Sequence, residues 1–212
     1  MTTAWLAGAS GLVGGVLLRR LLEDEQFGRV VSVGRRTLPL QHPRLVQVVL
    51  DFSSPSAFES LEPPDAAFGC LGTTIRKAGT REAFRAVDHD AVLAFARAAK
   101  AKGAGVFLHV SSMGADPGSR IFYNRVKGEI ERDVAALGFP SVYALRPSML
   151  DGERAESRPA ERVGLAVMHA LGPLLGKYRA TPVEALAKVM VAAAKAPAAG
   201  VHVVEADAIL RG

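Results

Sequence analysis

The chain has 212 residues, of which 49% are hydrophobic and 22% are charged, and its formal net charge is +5. This composition is typical of a globular protein, and the length predicts one domain over residues 1–212 with a large core.

The single cysteine, Cys70, excludes a disulfide within the chain and favours a reducing compartment, so we expect a cytoplasmic protein. The five histidines are scattered without ligand spacing, so no metal is expected. The apolar stretches are too short for a membrane span and the basic residues carry no aromatic stripe, so neither a membrane nor a nucleic acid is an expected partner.

Strands and helices alternate along the first two thirds of the chain. Apolar runs predict strands at residues 3–8, Val30–Val33, Leu45–Leu50, Ala66–Leu71, Val106–Val110 and Val142–Leu145. Helical spacing of apolar residues predicts helices at 12–25, 82–102 and 122–137. The run Leu45–Leu50 is apolar at nearly every position, which indicates a strand covered on both faces. This alternation predicts an α/β fold with a doubly wound parallel sheet.

The pattern changes after Pro147. Residues 148–181 are rich in arginine, glycine and proline, and we expect a small α-rich substrate or lid region there, with one helix near 160–172. A helix at 182–195 and a short strand at Val201–Glu205 are the last predicted elements.

The turn after the first strand carries glycine at positions 8, 11 and 14, in the spacing G-x-x-G-x-x-G. Gly8 permits a sharp turn, Gly11 leaves room for phosphates, and Gly14 lets the next helix pack closely on the sheet. The N-terminus of that helix favours a negative charge. We therefore predict that this turn binds a dinucleotide pyrophosphate through Gly8, Ser10, Gly11, Leu12, Val13 and Gly14.

Other strand ends carry further candidate cofactor residues. Arg35 and Arg36 follow the second strand, where a basic residue can pair with a 2′-phosphate, so NADP(H) is predicted over NAD(H). Two solvated arginines are the alternative. Asp51 follows the third strand and either accepts from the adenine amino group or forms a turn.

The ends of the fourth and sixth strands complete the predicted cofactor set. After the fourth strand, Gly72 and Thr73 are expected to contact the cofactor through their backbone, with Leu71 beside them, while Cys70 is interpreted as a small core residue. Pro147, after the sixth strand, is expected near the nicotinamide.

A serine, a tyrosine and a lysine form the candidate catalytic set. Tyr123 and Lys127 are four residues apart on a predicted helix and therefore share one face. A phenol is a poor acid or base at neutral pH unless a cation stabilises its phenolate, and Lys127 supplies that charge and can also hold the nicotinamide ribose. Ser112, at the end of the fifth strand, is the candidate for binding a substrate carbonyl oxygen, and Ser111 is the alternative.

These motifs together resemble the short-chain dehydrogenase/reductase superfamily. The segments 70–74, 110–116, 123–129 and 156–159 resemble its atypical group of Tat-interacting, CC3-type oxidoreductase-like proteins. The resemblance implies an NAD(P)-binding Rossmann fold and a catalytic triad of Ser112, Tyr123 and Lys127. It implies that Tyr123 gives a proton to a carbonyl oxygen as hydride arrives from NADPH, that Ser112 positions that oxygen, and that Lys127 lowers the pKa of the tyrosine.

The leading functional hypothesis is an NADP(H)-dependent oxidoreductase with a small carbonyl or hydroxyl substrate. A catalytically silent NADPH sensor or protein-interaction regulator is the alternative. Epimerase or dehydratase chemistry is a weaker one, because the short C-terminal region leaves little chain to hold a sugar nucleotide. A homodimer is one assembly that the sequence allows.

Overall fold

The computed structural model describes residues 1–152 and 179–212. In these residues the strands are β1 (Thr2–Ala7), β2 (Phe27–Gly34), β3 (Leu45–Val49), β4 (Ala66–Gly69), β5 (Val106–Val110), β6 (Ser141–Arg146), β7 (Leu150–Asp151), β8 (Thr181–Pro182) and β9 (Gly200–Glu205). The α-helices are α1 (Leu12–Glu23), α2 (Ile75–Ala78), α3 (Arg81–Arg85), α4 (Ala91–Ala101), α5 (Phe122–Ala135), α6 (Val183–Lys195) and α7 (Ala206–Arg211). A 3₁₀ turn covers Pro55–Phe58, and a π-helical turn covers Ala86–Asp90 between α3 and α4.

Seven of these strands form one parallel sheet in the order β3-β2-β1-β4-β5-β6-β9. The predicted doubly wound parallel sheet is confirmed. The chain builds outward from β1 to β3 and then returns to place β4 on the other side of β1. The strand order therefore reverses between β1 and β4, and ligands of such sheets bind in the crevice outside the carboxyl ends of strands at this point.

Helices cover the two faces of the sheet. Along β1 the side chains alternate, so the buried neighbours Trp5 and Leu6 enter opposite layers. Leu6 packs with Leu17 of α1 and with residues of α6, whereas Trp5 packs with Phe95 of α4 and with residues of α5. The two layers hold the carboxyl ends of the central strands at one fixed edge.

Several predicted elements differ from the structure. The strand predicted at Leu45–Leu50 is β3, which lies at the edge of the sheet with half-buried residues and with Val49 55% exposed, so the expectation that both faces are covered is wrong. The helix predicted at 82–102 is divided by the π-helical turn, and α2 and α7 were not predicted. The helix expected near 160–172 and most of the lid region expected at 148–181 lie outside the described residues. None of the helices in the described ranges is long and apolar enough to cross a membrane.

Candidate functional site

The turn after β1 has no room for side chains at two of its glycines. Gly8 has a φ of +89°, and a Cβ there would lie 2.4 Å from the Cys70 carbonyl oxygen. A Cβ at Gly14 would lie 2.1 Å from the Gly8 carbonyl oxygen, so only glycine lets α1 begin this close to the turn. The Gly11 amide donates to the same oxygen over 2.9 Å. The turn therefore presents bare backbone at the carboxyl end of β1.

The N-terminus of α1 is open to a ligand. Gly11 is the N-cap residue, and no side chain among the described residues caps the helix. The first amides of a helix have no partner inside it and attract anions. Ser10 and Gly11 are exposed, whereas Leu12 is half-buried and Val13 is buried in the core. Val13 can therefore reach a pyrophosphate only through its backbone amide.

Arg35 and Arg36 follow β2 directly, and both are exposed. Neither guanidinium forms an ion pair with another described residue. Strand β2 is paired with β1, so these two uncompensated charges lie beside the strand that enters the glycine turn. This is the position predicted to meet a 2′-phosphate.

Asp51 takes part in a turn. One oxygen of its exposed carboxylate accepts from the Ser53 amide over 2.9 Å, and its carbonyl accepts from the Ser54 amide over 3.2 Å. The Ser53 amide and hydroxyl hold the pKa of Asp51 below its ordinary value. The turn interpretation of Asp51 is therefore realised in the structure, and the adenine contact stays a prediction.

The loop after β4 is tied to the helix that follows it. The Thr73 amide donates to Oδ2 of Asp88 over 2.7 Å. The Thr73 amide is therefore used inside the protein, and a contact of Gly72 and Thr73 with a cofactor through the rest of their backbone stays a prediction. Leu71 is half-buried and Gly72 is exposed, so Gly72 has the accessible backbone in this loop.

Two groups near the strand ends, the half-buried Cys70 and the buried His109, are neutral at physiological pH. Burial raises the pKa of the Cys70 thiol to about 12, which agrees with its interpretation as a core residue rather than a nucleophile. Burial, assisted by the charge of Lys127, lowers the pKa of His109 to about 3. Neither ring nitrogen of His109 has a hydrogen-bond partner in the described part of the chain. The described residues also contain no group of three potential metal ligands.

The two candidate serines at the end of β5 have different surroundings. Ser111 is buried, and its hydroxyl donates to the carboxylate of Glu131. Ser112 is half-buried, and its hydroxyl makes only a long contact of 3.3 Å to the Met113 carbonyl oxygen among the described residues. A hydroxyl committed to a carboxylate is not free to donate to a substrate. Ser112 is therefore the freer of the two.

Tyr123 and Lys127 lie on the first two turns of α5. The Tyr123 ring is half-buried and packs 5.6 Å from the Phe84 ring, measured between centroids. The Lys127 side chain is buried, with Nζ 2.8 Å from Oδ1 of Asp88 and 3.5 Å from the Val110 carbonyl oxygen. Burial alone would lower the pKa of Lys127, but the charge of Asp88, the electrostatic interaction with Tyr123 and the hydrogen bond to Asp88 outweigh it and raise that pKa. Lys127 is thus a buried, charged ammonium.

Asp88 is the residue that the sequence interpretation missed. It is 1% exposed and lies in the π-helical turn Ala86–Asp90, where it binds Lys127. A signal was present in the sequence, because Asp88 lies four residues after Phe84 and four before Val92, both of which are buried. A carboxylate within the apolar stripe of a helix requires a partner.

Arg146, at the end of β6, joins several elements. Its guanidinium lies 2.6 Å from Glu131 of α5 and 2.9 Å from Glu205 of β9, and the hydrogen bonds to these carboxylates raise its pKa. Its position is that of a structural residue at the end of the sheet. The following residue, Pro147, is buried, and its carbonyl oxygen accepts from the Met113 amide over 3.0 Å.

The loop that carries Ser112 packs directly on α5. A Cβ at Gly128 would lie 2.2 Å from the carbonyl carbon of Asp116 and from the nitrogen of Pro117. The Asp116 amide also donates to the Asn124 carbonyl oxygen over 3.0 Å. These contacts fix the serine loop against the helix of Tyr123 and Lys127.

The strand order and the glycine turn define the class of the protein, a Rossmann-type α/β fold. The structure is similar to the Bordetella bronchiseptica enzyme WbmH in complex with NAD⁺, with a TM-score of 0.74 and 17% identity, covering 97% of this chain and 76% of that one. An oxidoreductase of the short-chain dehydrogenase/reductase family from Burkholderia thailandensis has a TM-score of 0.67 and 19% identity, covering 100% and 93% of the two chains. These likenesses show the fold.

Sequence relatives identify the family. The chain is 36% identical to Protein HTATIP2 of Rattus norvegicus over 213 residues, which cover 98% of this chain and 88% of the relative. It is 39% identical to the protein "fmp52, mitochondrial" of Aspergillus niger over 184 residues, covering 84% and 77%. The chain therefore belongs to the family of HTATIP2 and FMP52. No protein-family model matches it.

Proposed function

We propose that the protein is an NADP(H)-dependent oxidoreductase that acts on a small carbonyl or hydroxyl substrate. The observation that carries this proposal is the charged, buried ammonium of Lys127 one helical turn from Tyr123. A nearby cation stabilises a phenolate, so it makes a tyrosine competent to exchange a proton. A protein that only binds a dinucleotide has no need of this pair.

The glycine turn fits a dinucleotide. Side chains at Gly8 and Gly14 would collide with the backbone, Gly11 carries no side chain that would block a ligand, and the open end of α1 leaves amides for a pyrophosphate. Arg35 and Arg36 would pair with the 2′-phosphate. When bound, the nicotinamide supplies or accepts a hydride.

The chain's own residues carry the proton. In the direction of reduction the Tyr123 hydroxyl gives its proton to the carbonyl oxygen, and in the direction of oxidation the phenolate removes one from the alcohol. The Ser112 hydroxyl donates a hydrogen bond to the same oxygen and holds it beside the phenol. Lys127 stabilises the phenolate and binds the nicotinamide ribose.

Oxidation of NADPH with a panel of aldehydes, ketones and quinones tests the activity. Tyr123→Phe is expected to lower kcat at least about 100-fold, because it removes the acid and base. Tyr143→Phe is the matched control, since Tyr143 binds the Ala198 amide away from the proposed site. If NADPH binds to the wild type and no substrate is turned over, the protein is a sensor and the enzyme proposal fails.

Arg35→Asp tests the choice of cofactor. We expect it to weaken NADPH binding about tenfold or more and to leave NADH binding nearly unchanged, because one charge-assisted hydrogen bond to the 2′-phosphate is lost. Arg97→Asp makes the same change of charge at an exposed position of α4 and is the control. Equal losses for both cofactors would show that Arg35 does not bind the 2′-phosphate.

For the compartment we propose the cytoplasm, on the ground of the single cysteine. The names of the fungal relatives include the word mitochondrial. Fractionation of the source cells, with the protein detected by antibody, distinguishes a cytoplasmic location from one inside an organelle.

A further inference from the structure

Asp88 and Lys127 form an ion pair that is removed from water. Their side chains are 1% and 5% exposed, and Nζ of Lys127 lies 2.8 Å from Oδ1 of Asp88. The other oxygen of Asp88 accepts from the Thr73 amide over 2.7 Å. A single carboxylate therefore joins helix α5 to the loop after β4, and both of these elements are placed in the proposed cofactor site.

The π-helical turn fixes the position of this carboxylate. The Ala91 amide donates to the Ala86 carbonyl oxygen, five residues earlier, and π turns occur frequently at functional sites. The next residue, His89, is also buried, and its Nε2 lies 2.9 Å from Oδ2 of Asp133 on α5. The turn is thus attached to α5 at two successive residues, which holds Asp88 against Lys127.

Stability alone does not account for this ion pair. Replacing a buried pair by apolar residues of similar volume is often neutral or stabilising, so a core has no need of one. The pair does determine the charge of the lysine, because a buried lysine without a partner loses its proton readily. The groups that face Lys127 are Asp88 from the π-helical turn, Tyr123 and Glu131 from α5, and the neutral ring of His109 from β5. Among them Asp88 is the one that forms an ion pair with the ammonium.

We propose that Asp88 is a positioning residue of this site, whose carboxylate keeps Lys127 a charged ammonium and fixes it relative to the backbone of Thr73. The inference rests on the proposed function, in which Lys127 binds the nicotinamide ribose and stabilises the phenolate. Asp88 acts through Lys127 and touches neither cofactor nor substrate. Without the carboxylate, Lys127 keeps its place in the chain but loses its charge as the pH rises.

Asp88→Asn tests the proposal, because the amide has nearly the shape of the carboxylate and lacks its charge. The ¹³C shift of the Lys127 ε-carbon, assigned by its absence in Lys127→Met, reports the protonation of the lysine. We expect Lys127 to stay protonated up to at least about pH 9.5 in the wild type and to lose its proton below that pH in Asp88→Asn. Asp133→Asn removes another carboxylate that faces the same π-helical turn and is expected to behave as the wild type does.

NADPH affinity, measured by the fluorescence of the bound nucleotide, shows whether the charge of Lys127 matters for cofactor binding. Where Lys127 has lost its charge, Asp88→Asn is expected to bind NADPH about tenfold more weakly than the wild type at the same pH. Asp88→Glu restores a carboxylate and is expected to recover a protonated Lys127. A lysine that stays charged in Asp88→Asn, or an unchanged NADPH affinity, would overturn the proposal.

The test still gives a result if the Asp88→Asn variant does not fold or if the wild type does not bind NADPH. If Asp88→Asn does not fold, the wild type alone still gives a result, because loss of the Lys127 proton below about pH 9.5 in the wild type contradicts the proposal. If the wild type does not bind NADPH, the proposed function fails, while the carbon shift still measures what Asp88 does to Lys127.

Discussion

Two adjacent glycines of α1 give a matched test of the glycine turn. A Cβ at Gly14 would lie 2.1 Å from the Gly8 carbonyl oxygen, whereas a Cβ at Gly15 would lie 3.5 Å from the Ala9 oxygen, which is an ordinary contact. In Gly14→Ala the start of the helix must therefore move away from the turn by more than about 1 Å. Gly15→Ala requires no movement.

The two alanine variants are expected to change stability in opposite directions. Overpacking of this size costs about 1–3 kcal/mol, so Gly14→Ala should lower the melting temperature by about 3–10 °C. Gly15→Ala should stabilise the protein by about 0.5–1 kcal/mol, because alanine has the better helix propensity. Gly14→Ala should also weaken NADPH binding, since the amides of α1 are displaced, while Gly15→Ala should not.

Thermal unfolding, urea unfolding and NADPH titration of the two purified variants measure these effects. The same substitution in the same helix controls for propensity and for the added methyl group. Equal stabilities of the two variants, or undiminished NADPH binding by Gly14→Ala, would refute the reasoning from the close contact with Gly8.

The packing of the serine loop and the buried ring of His109 give two further predictions. Gly128→Ala should destabilise the protein by about 1–3 kcal/mol and lower kcat more than NADPH affinity, because it pushes the Asp116–Pro117 backbone from α5; urea unfolding and steady-state kinetics measure this. An unchanged kcat would contradict it. Folding lowers the pKa of His109 from 6.5 to about 3, so between these pH values the unfolded chain binds a proton that the folded protein does not. The free energy of unfolding of the wild type should therefore fall by about 1.4 kcal/mol for each pH unit below 6.5. In His109→Phe this fall should be absent when urea unfolding is measured between about pH 7 and pH 5. An equal dependence of the free energy of unfolding on pH in the variant and the wild type would show that His109 is not its cause.

Elements with a clear hydrophobic period were predictable from the sequence. Strand β5 begins and ends at Val106 and Val110, as predicted, because a buried parallel strand is apolar at nearly every position, and His109 is the one exception in β5. The helix over 82–102 was predicted as one piece, since its apolar residues keep helical spacing. The π-helical turn within it depends on contacts of Asp88 and His89 with α5, and a hydrophobic period does not encode such contacts.

Part of the candidate site was also predictable from the sequence, and part of it depends on tertiary contacts. The glycine turn, Ser112 and Arg35 could be placed together because the carboxyl ends of parallel strands meet at one edge of a sheet. Gly128 could not be found, since the need for a small side chain there comes from a loop ten or more residues away that folds back on α5. The use of the Thr73 amide by Asp88 is a tertiary contact of the same kind.

The π-helical turn also marks where the length of this helix can change. Before the turn, Phe84 packs on Phe122 and Tyr123, and after it Phe95 packs on Trp5 on the sheet. The backbone hydrogen bond of the turn spans five residues, whereas that of an α-helix spans four, so the turn contains one residue more than a regular helix needs. Deleting one residue within Ala86–Asp90 would therefore leave a continuous α-helix in which both aromatic contacts keep nearly the same relative orientation. A deletion elsewhere in the helix would rotate its two parts by about 100°, so alignments of relatives should place a one-residue gap of this helix in the turn.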